Sequence, residues 1–153
     1  MEFGTILKAW LGWKAPNSNH EMYDGAQGYF KVALDSDLFR QQNTSYFSVS
    51  FKDWLLVGPD SAYYDTSSLF MEGCITDSKQ IKFLNQAGKS QQKIIILMHH
   101  CPLNMDGSQT KGLWNDVVSA LGREPDYWYF GHMHNGVAIY VLALFVYIKL
   151  WKL

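Results

Sequence analysis

The sequence predicts an α/β protein. Two short apolar runs, Lys93–Met98 (KIIILM) and Tyr127–Phe130 (YWYF), have the length and residue types of buried strands. Each follows a stretch with helical spacing of apolar residues, so the second half reads helix, strand, helix, strand. Each strand also runs straight into histidine: His99-His100 after the first, and His132 and His134 after the second.

Composition bounds the rest. With 153 residues, 16% aromatic and 18% charged, the chain is long enough for one domain with a real core and has a globular composition. A net charge of −1 without a Lys/Arg cluster gives no electrostatic footprint for nucleic acid. Cys74 and Cys101 make neither a disulfide framework nor a Cys-x-x-Cys site. No basic-then-apolar leader is visible, and a cytoplasmic location is favoured. Oligomeric state is not legible.

In chain order, Phe3–Gly12 is expected to be a helix with Ile6, Leu7, Trp10 and Leu11 on one face, stopped by Gly12 and Pro16. Asn17–Gly28 has loop composition. Tyr29–Leu34 is compatible with a helix or a strand. Tyr46–Phe51 alternates, with Phe47, Val49 and Phe51 on one face, and Trp54–Val57 is a second strand and a plausible hairpin partner. Ser61–Gly73 reads as a long irregular connection. Asp77 is an N-cap candidate for a helix that carries Ile81, Phe83 and Leu84 and closes at Gly88. Lys93–Met98 is expected to be covered on both faces. Leu113–Leu121 is a helix with Leu113, Val117, Val118 and Leu121 inward. The apolar tail Val137–Ile148 is too short for a membrane helix, which needs about 20 residues, and its Val, Ile, Tyr and Phe content favours a strand. A membrane anchor is the less favoured reading.

The chemistry-bearing residues fall in three blocks: Asn19-His20-Glu21, His99-His100-Cys101-Pro102 and Gly131-His132-Met133-His134. Residues two apart in an extended segment point the same way, so His132 and His134 can face a common point. Convergent imidazoles suit Zn, Mn or Fe. The carboxyl ends of parallel strands are where α/β sheets bind ligands. Taken singly, Asn19 reads as a turn residue and His20 as a surface histidine.

Together, in this order, the blocks resemble the last three signature blocks of calcineurin-like metallophosphoesterases. Those blocks are Gly-Asn-His-Asp/Glu, a strand ending in His (often His-x-Pro), and Gly-His-x-His. The resemblance spans about residues 17–136, and 137–153 form an atypical apolar tail. It implies a partial metallophosphoesterase sandwich, two β-sheets flanked by helices, in one domain. It implies two divalent ions such as Mn, Fe or Zn, a phosphate mono- or diester substrate, and hydrolysis by metal-activated water. By position it assigns Asn19, His100, His132 and His134 as metal ligands and His20 as the general acid. His100 fits His-x-Pro better than His99, which would then be structural, facing the other side of the sheet. Glu21 could serve a backbone amide or a histidine.

Three departures from the family pattern bear on activity. No Asp-x-His and no Gly-Asp occurs in the sequence, so the first metal's ligands and the bridging carboxylate are not represented. Ser18 stands where the family has glycine, which would be costly if that position needs positive φ. The tail departs from the family's continuation. These departures predict one weak metal site. They also leave open a catalytically silent remnant or a fragment that works only with a partner.

Overall fold

The computed structural model describes residues 14–39, 41, 44–104 and 112–132, and the backbone of 139–141 and 144–146. The expected N-terminal helix Phe3–Gly12, His134 and most of the apolar tail lie outside these residues.

The fold is mixed α/β. Strands β1 (Phe47–Phe51) and β2 (Trp54–Gly58) form an antiparallel hairpin. Strands β3 (Lys93–Met98) and β4 (Tyr127–Phe130) add in parallel to β2. The backbones of β5 (Ile139–Val141) and β6 (Leu144–Val146) complete a sheet of order β1-β2-β3-β4-β6-β5. The tail backbone is therefore extended where it is described, as its β-branched and aromatic content predicts. Among the described residues no helix is long and apolar enough to cross a membrane.

Helix α1 is one turn, Asn19–Met22, and is followed by a π-helical turn at Tyr29–Ala33. The stretch expected to be a loop thus contains a helical turn, because Ser18 caps it. The ambiguous Tyr29–Leu34 segment is helical. Its Tyr29 is buried and donates its hydroxyl to the Ala15 carbonyl at 2.7 Å. Burial, then the charge of Asp60, pushes this phenol well above its ordinary range, so it stays a donor. Ala26, Tyr29 and Leu34 form a small second core under this segment.

The main core lies between the sheet and two crossover helices, α2 (Ser78–Gly88) and α3 (Gly112–Leu121). Parallel strands require such crossovers. Asp77 caps α2, its carboxylate accepting from the Gln80 amide at 3.0 Å. The inward stripe of α2 is Gln80, Leu84 and Ala87. Ile81 lies off that stripe and is 39% exposed, while Gln80 takes the inward position and clamps the β2 loop. Gly88 ends α2 for a packing reason: a Cβ there would stand 1.8 Å from the Leu121 carbonyl oxygen of α3. From α3, Leu113, Trp114, Val117, Ala120 and Leu121 are buried, and Trp114 stacks on Trp128 of β4 at 5.4 Å.

Burial alternates along the strands. Ile94, Ile96 and Met98 of β3 are buried under the helices, each fully buried aliphatic contributing about 1.5–3 kcal/mol. Ile95 and Leu97 are only half-buried, as are Trp54, Leu56, Tyr127 and Tyr129 beside them. The expectation that β3 is covered on both faces is met on the helix side and only in part on the other. A metallophosphoesterase sandwich calls for a second sheet on that other face. The described residues form a single sheet.

Candidate metal centre

The site forms where β2, β3 and β4 end side by side. Their registers align Val57 with Ile96 and Met98 with Phe130, so the segments that follow emerge at one edge. The His99 carbonyl accepts from the amides of Gly131 (3.0 Å) and His132 (2.8 Å), which ties the two histidine-bearing loops together. The ring centroids of His99, His100 and His132 form a near-equilateral triangle with sides of 4.9, 4.8 and 4.9 Å. Their ligating nitrogens all lie within 4.8 Å of one another. His99, His100 and His132 are thus a group that could hold a metal ion.

Asn19 reaches this group from α1. It is buried, and its side-chain oxygen lies 2.7 Å from His99 Nε2. Its orientation follows from what surrounds its amide nitrogen. Nδ2 faces three acceptors: Tyr23 Oη at 3.0 Å, the Leu69 carbonyl at 3.4 Å and Met71 Sδ at 3.5 Å. The oxygen is therefore the end turned to the histidines. His132 Nδ1 lies 2.9 Å from the same His99 nitrogen.

Proton bookkeeping makes this arrangement informative. Asn19 Oδ1 can only accept. His99 Nε2 has at most one proton to direct at it, and His132 Nδ1 crowds the same atom. His99 Nε2 thus has two close polar neighbours, Asn19 Oδ1 at 2.7 Å and His132 Nδ1 at 2.9 Å. A tetrahedral ion about 2.0–2.2 Å from each would set neighbouring donors roughly 3.3–3.6 Å apart. The observed contacts, 2.7 and 2.9 Å, are shorter than that, so the donors would spread to admit an ion. The donor set, one amide oxygen and two imidazoles, suits a borderline divalent ion.

His100 has a different environment. It is 1% exposed, with Nδ1 2.8 Å from Ser61 Oγ and Nε2 2.8 Å from the Phe70 carbonyl oxygen. A carbonyl only accepts, so Nε2 carries the proton that it receives. The pairing with Asn19 expected of His100 is made instead by His99. His132 joins His99 and His100 in the histidine group. His20 is exposed, packs its ring against Tyr23 at 5.3 Å, and does not join the histidine group. His134 lies outside the described residues.

The supporting loops were not read as a motif. Asp60 and Asn17 are buried side by side, Asn17 Nδ2 donating to the Asp60 carboxylate at 3.2 Å. The other Asp60 oxygen accepts from the amides of Ala62 and Tyr63. Gln80 brackets the Asp60 backbone, accepting from its amide and donating to its carbonyl at 2.9 Å. The α1 segment is thereby fixed against the end of β2. Burial raises the Asp60 carboxyl above the usual range despite these hydrogen bonds.

Asp65 organises the irregular Ser61–Gly73 connection, its carboxylate accepting from the amides of Ser67 (2.8 Å), Glu72 (3.2 Å) and Gly73 (2.7 Å). Burial works to raise the Asp65 carboxyl, but the hydrogen bonds from Ser67 and Gly73, with the nearby His100, outweigh it and hold the group below its ordinary range. Gly73 is at φ +73, and a Cβ there would stand 2.6 Å from His100 Cγ. The sequence signals for this scaffold are Asp60-Ser61 directly after a strand and the Asp65-x-Ser67 turn.

Ser18 adopts an extended φ of −130, so its position does not need glycine. Its hydroxyl accepts from the His20 amide at 3.2 Å and donates to the Glu21 carboxylate. Ser18 and Glu21 occupy the positions of a capping box. Glu21 thus serves the cap, not a histidine. No family model matches the chain, and no curated protein matches its sequence.

Proposed function

We propose that the chain carries a divalent-metal centre of the calcineurin-like metallophosphoesterase type and acts on phosphate mono- or diesters. The observation that carries this reading is the convergence of Asn19 Oδ1, His99 Nε2 and His132 Nδ1 at 2.7 and 2.9 Å, at the carboxyl edge of a parallel sheet. These three residues would hold the ion. His100, beside them, would set the floor of the site through Ser61 and the Phe70 carbonyl. This departs from the assignment by position, which made His100 the ligand.

A bound divalent ion would polarise the phosphoryl oxygens and lower the pKa of a coordinated water. The chain's own residues supply the rest. Asn19 is held oxygen-first by Tyr23 and Leu69. His20, exposed on the neighbouring position of α1, would donate a proton to the leaving alkoxide. Among the described residues no carboxylate joins the histidine group, which favours one ion over a carboxylate-bridged pair. His134 would ligate a second ion if one binds. Without the second ion the site could bind metal and catalyse weakly or not at all, and this is the alternative reading. A cytoplasmic setting, which keeps thiols such as Cys74 and Cys101 reduced, fits either reading.

The test is a calorimetric titration with Zn²⁺ and with Mn²⁺, followed by a chromogenic phosphate ester assay. One ion per chain, lost in His99→Ala, and hydrolysis that falls at least 100-fold in His20→Ala are expected. No ion bound would overturn the metal centre. Binding without hydrolysis would leave the silent alternative. Hydrolysis unchanged in His20→Ala would remove the general acid.

A further inference from the structure

Beside the metal centre stands an apolar rim that the reading above does not use. Tyr23 of α1 is 52% exposed, and Leu69 and Met71 of the Ser61–Gly73 connection are 64% and 46% exposed. Phe70, half-buried between Leu69 and Met71, brings its ring within 6.5 Å of Tyr23. The two segments are far apart in sequence and meet at Asn19. The Asn19 amide nitrogen contacts Tyr23 Oη, the Leu69 carbonyl and Met71 Sδ at 3.0–3.5 Å.

The backbone carrying this rim is in a costly conformation. Leu69 and Phe70 both have positive φ, +54° and +52°. Left-handed backbone is unfavourable for bulky side chains, at roughly 1–3 kcal/mol per residue, and it clusters at ligand clamps. Here it does two things at once. It turns the Leu69 and Phe70 carbonyls inward, to Asn19 and to His100 Nε2. It also leaves the Leu69 side chain outward, in water, where folding gains nothing from it. A glycine at 69 would make the same turn without strain. With Tyr23 and Met71, Leu69 makes an exposed apolar patch beside Asn19.

We propose that Tyr23, Leu69 and Met71 form the recognition surface for an apolar organic group carried by the phosphate ester, an aryl or branched-alkyl alcohol moiety, while the metal centre takes the phosphate. This rests on the proposed metal centre and adds the class of ester. The occupant is set by continuity: the rim residues touch the proposed ligand Asn19, so a group on the ester oxygen of a bound phosphate would lie against them.

The test uses the full chain loaded with Zn²⁺ and two non-hydrolysable probes, phenylphosphonate and methylphosphonate, titrated calorimetrically. Phenylphosphonate should bind about tenfold more tightly, the size of effect one hydrophobic contact confers. Leu69→Gly, which removes the side chain and keeps the carbonyl, should bring the two probes close to parity when both are titrated at saturating zinc. Tyr23→Phe should do the reverse, weakening zinc by releasing Asn19 while the phenyl preference persists. Equal binding of both probes to the parent chain, or a preference that survives Leu69→Gly, overturns the rim. Absence of zinc binding is seen in the metal titration alone and overturns the metal centre itself.

Discussion

His99 and His100 are consecutive residues at the end of one strand, and they lead into two different regions. His99 is half-buried. His100 is nearly sealed from solvent and bonded to Ser61 and the Phe70 carbonyl. Both stand past the end of β3 with their rings 4.9 Å apart in the same group, so their hydrogen-bond partners, not opposite faces of the sheet, distinguish them. His99 meets Asn19 and His132 at the candidate metal centre, and His100 ties down a loop.

The largest effect expected from breaking this comparison is on metal affinity. His99→Ala should weaken Zn²⁺ binding by more than about 100-fold, beyond the range seen for outer-shell partners, with little change in thermal stability. His100→Ala should instead destabilise the fold by about 2–4 kcal/mol, since it empties a buried volume and strands two polar groups. Chemical denaturation and zinc titration of both variants read the two effects separately. If His100→Ala removes zinc binding as completely as His99→Ala while the chain stays folded, the division of labour is wrong.

Next in size is Gly73→Ala. The added methyl would meet His100 and force an unfavourable positive φ, at a cost of about 1–3 kcal/mol. Its denaturation midpoint should fall, and zinc affinity should follow only as far as His100 displacement disturbs His99. Ser61→Ala is gentler: it removes one hydrogen bond to His100, worth about 1 kcal/mol. It should leave zinc binding untouched.

The smallest effects are on pH dependence, and the two buried aspartates should differ in sign. Asp65 is held below the ordinary carboxyl range, so its contribution is present above the unfolded range and is lost as pH falls through its depressed value. Asp60 is raised, so its contribution is present below the unfolded range and is lost as pH rises through its raised value. Asp65→Asn should therefore flatten the acid side of the stability profile. Asp60→Asn should remove the decline toward neutral pH. Urea midpoints across the acid-to-neutral range check both. Identical profiles in parent and variants would remove these carboxylates as the source.

Much of the architecture is legible in the residues because local patterns carry it. The alternation of Phe47, Val49 and Phe51, the KIIILM and YWYF runs, and Asp77 before an apolar-periodic stretch each point to an element found at the expected position. The apolar residues of α2 do not announce that Gln80 is buried and Ile81 exposed. Only the β2 loop, with its two backbone groups to satisfy, gives Gln80 the buried place. Gly88 likewise reads as a helix stop in sequence, whereas its packing reason lies in α3.

For the candidate site, the sequence by itself determined the candidate residue types: an Asn-His pair, two histidines after one strand, and His132 and His134 after another. Which histidine faces Asn19 was decided only by tertiary structure. The two adjacent histidines stand past the strand end with their rings 4.9 Å apart, and no motif records which of them the partner loop meets. The Ser61–Gly73 connection is the same case at larger scale. Its Asp65 turn and its left-handed Leu69–Phe70 pair have no periodicity to announce them. They take on meaning only when the chain folds back and brings two carbonyls to Asn19 and His100.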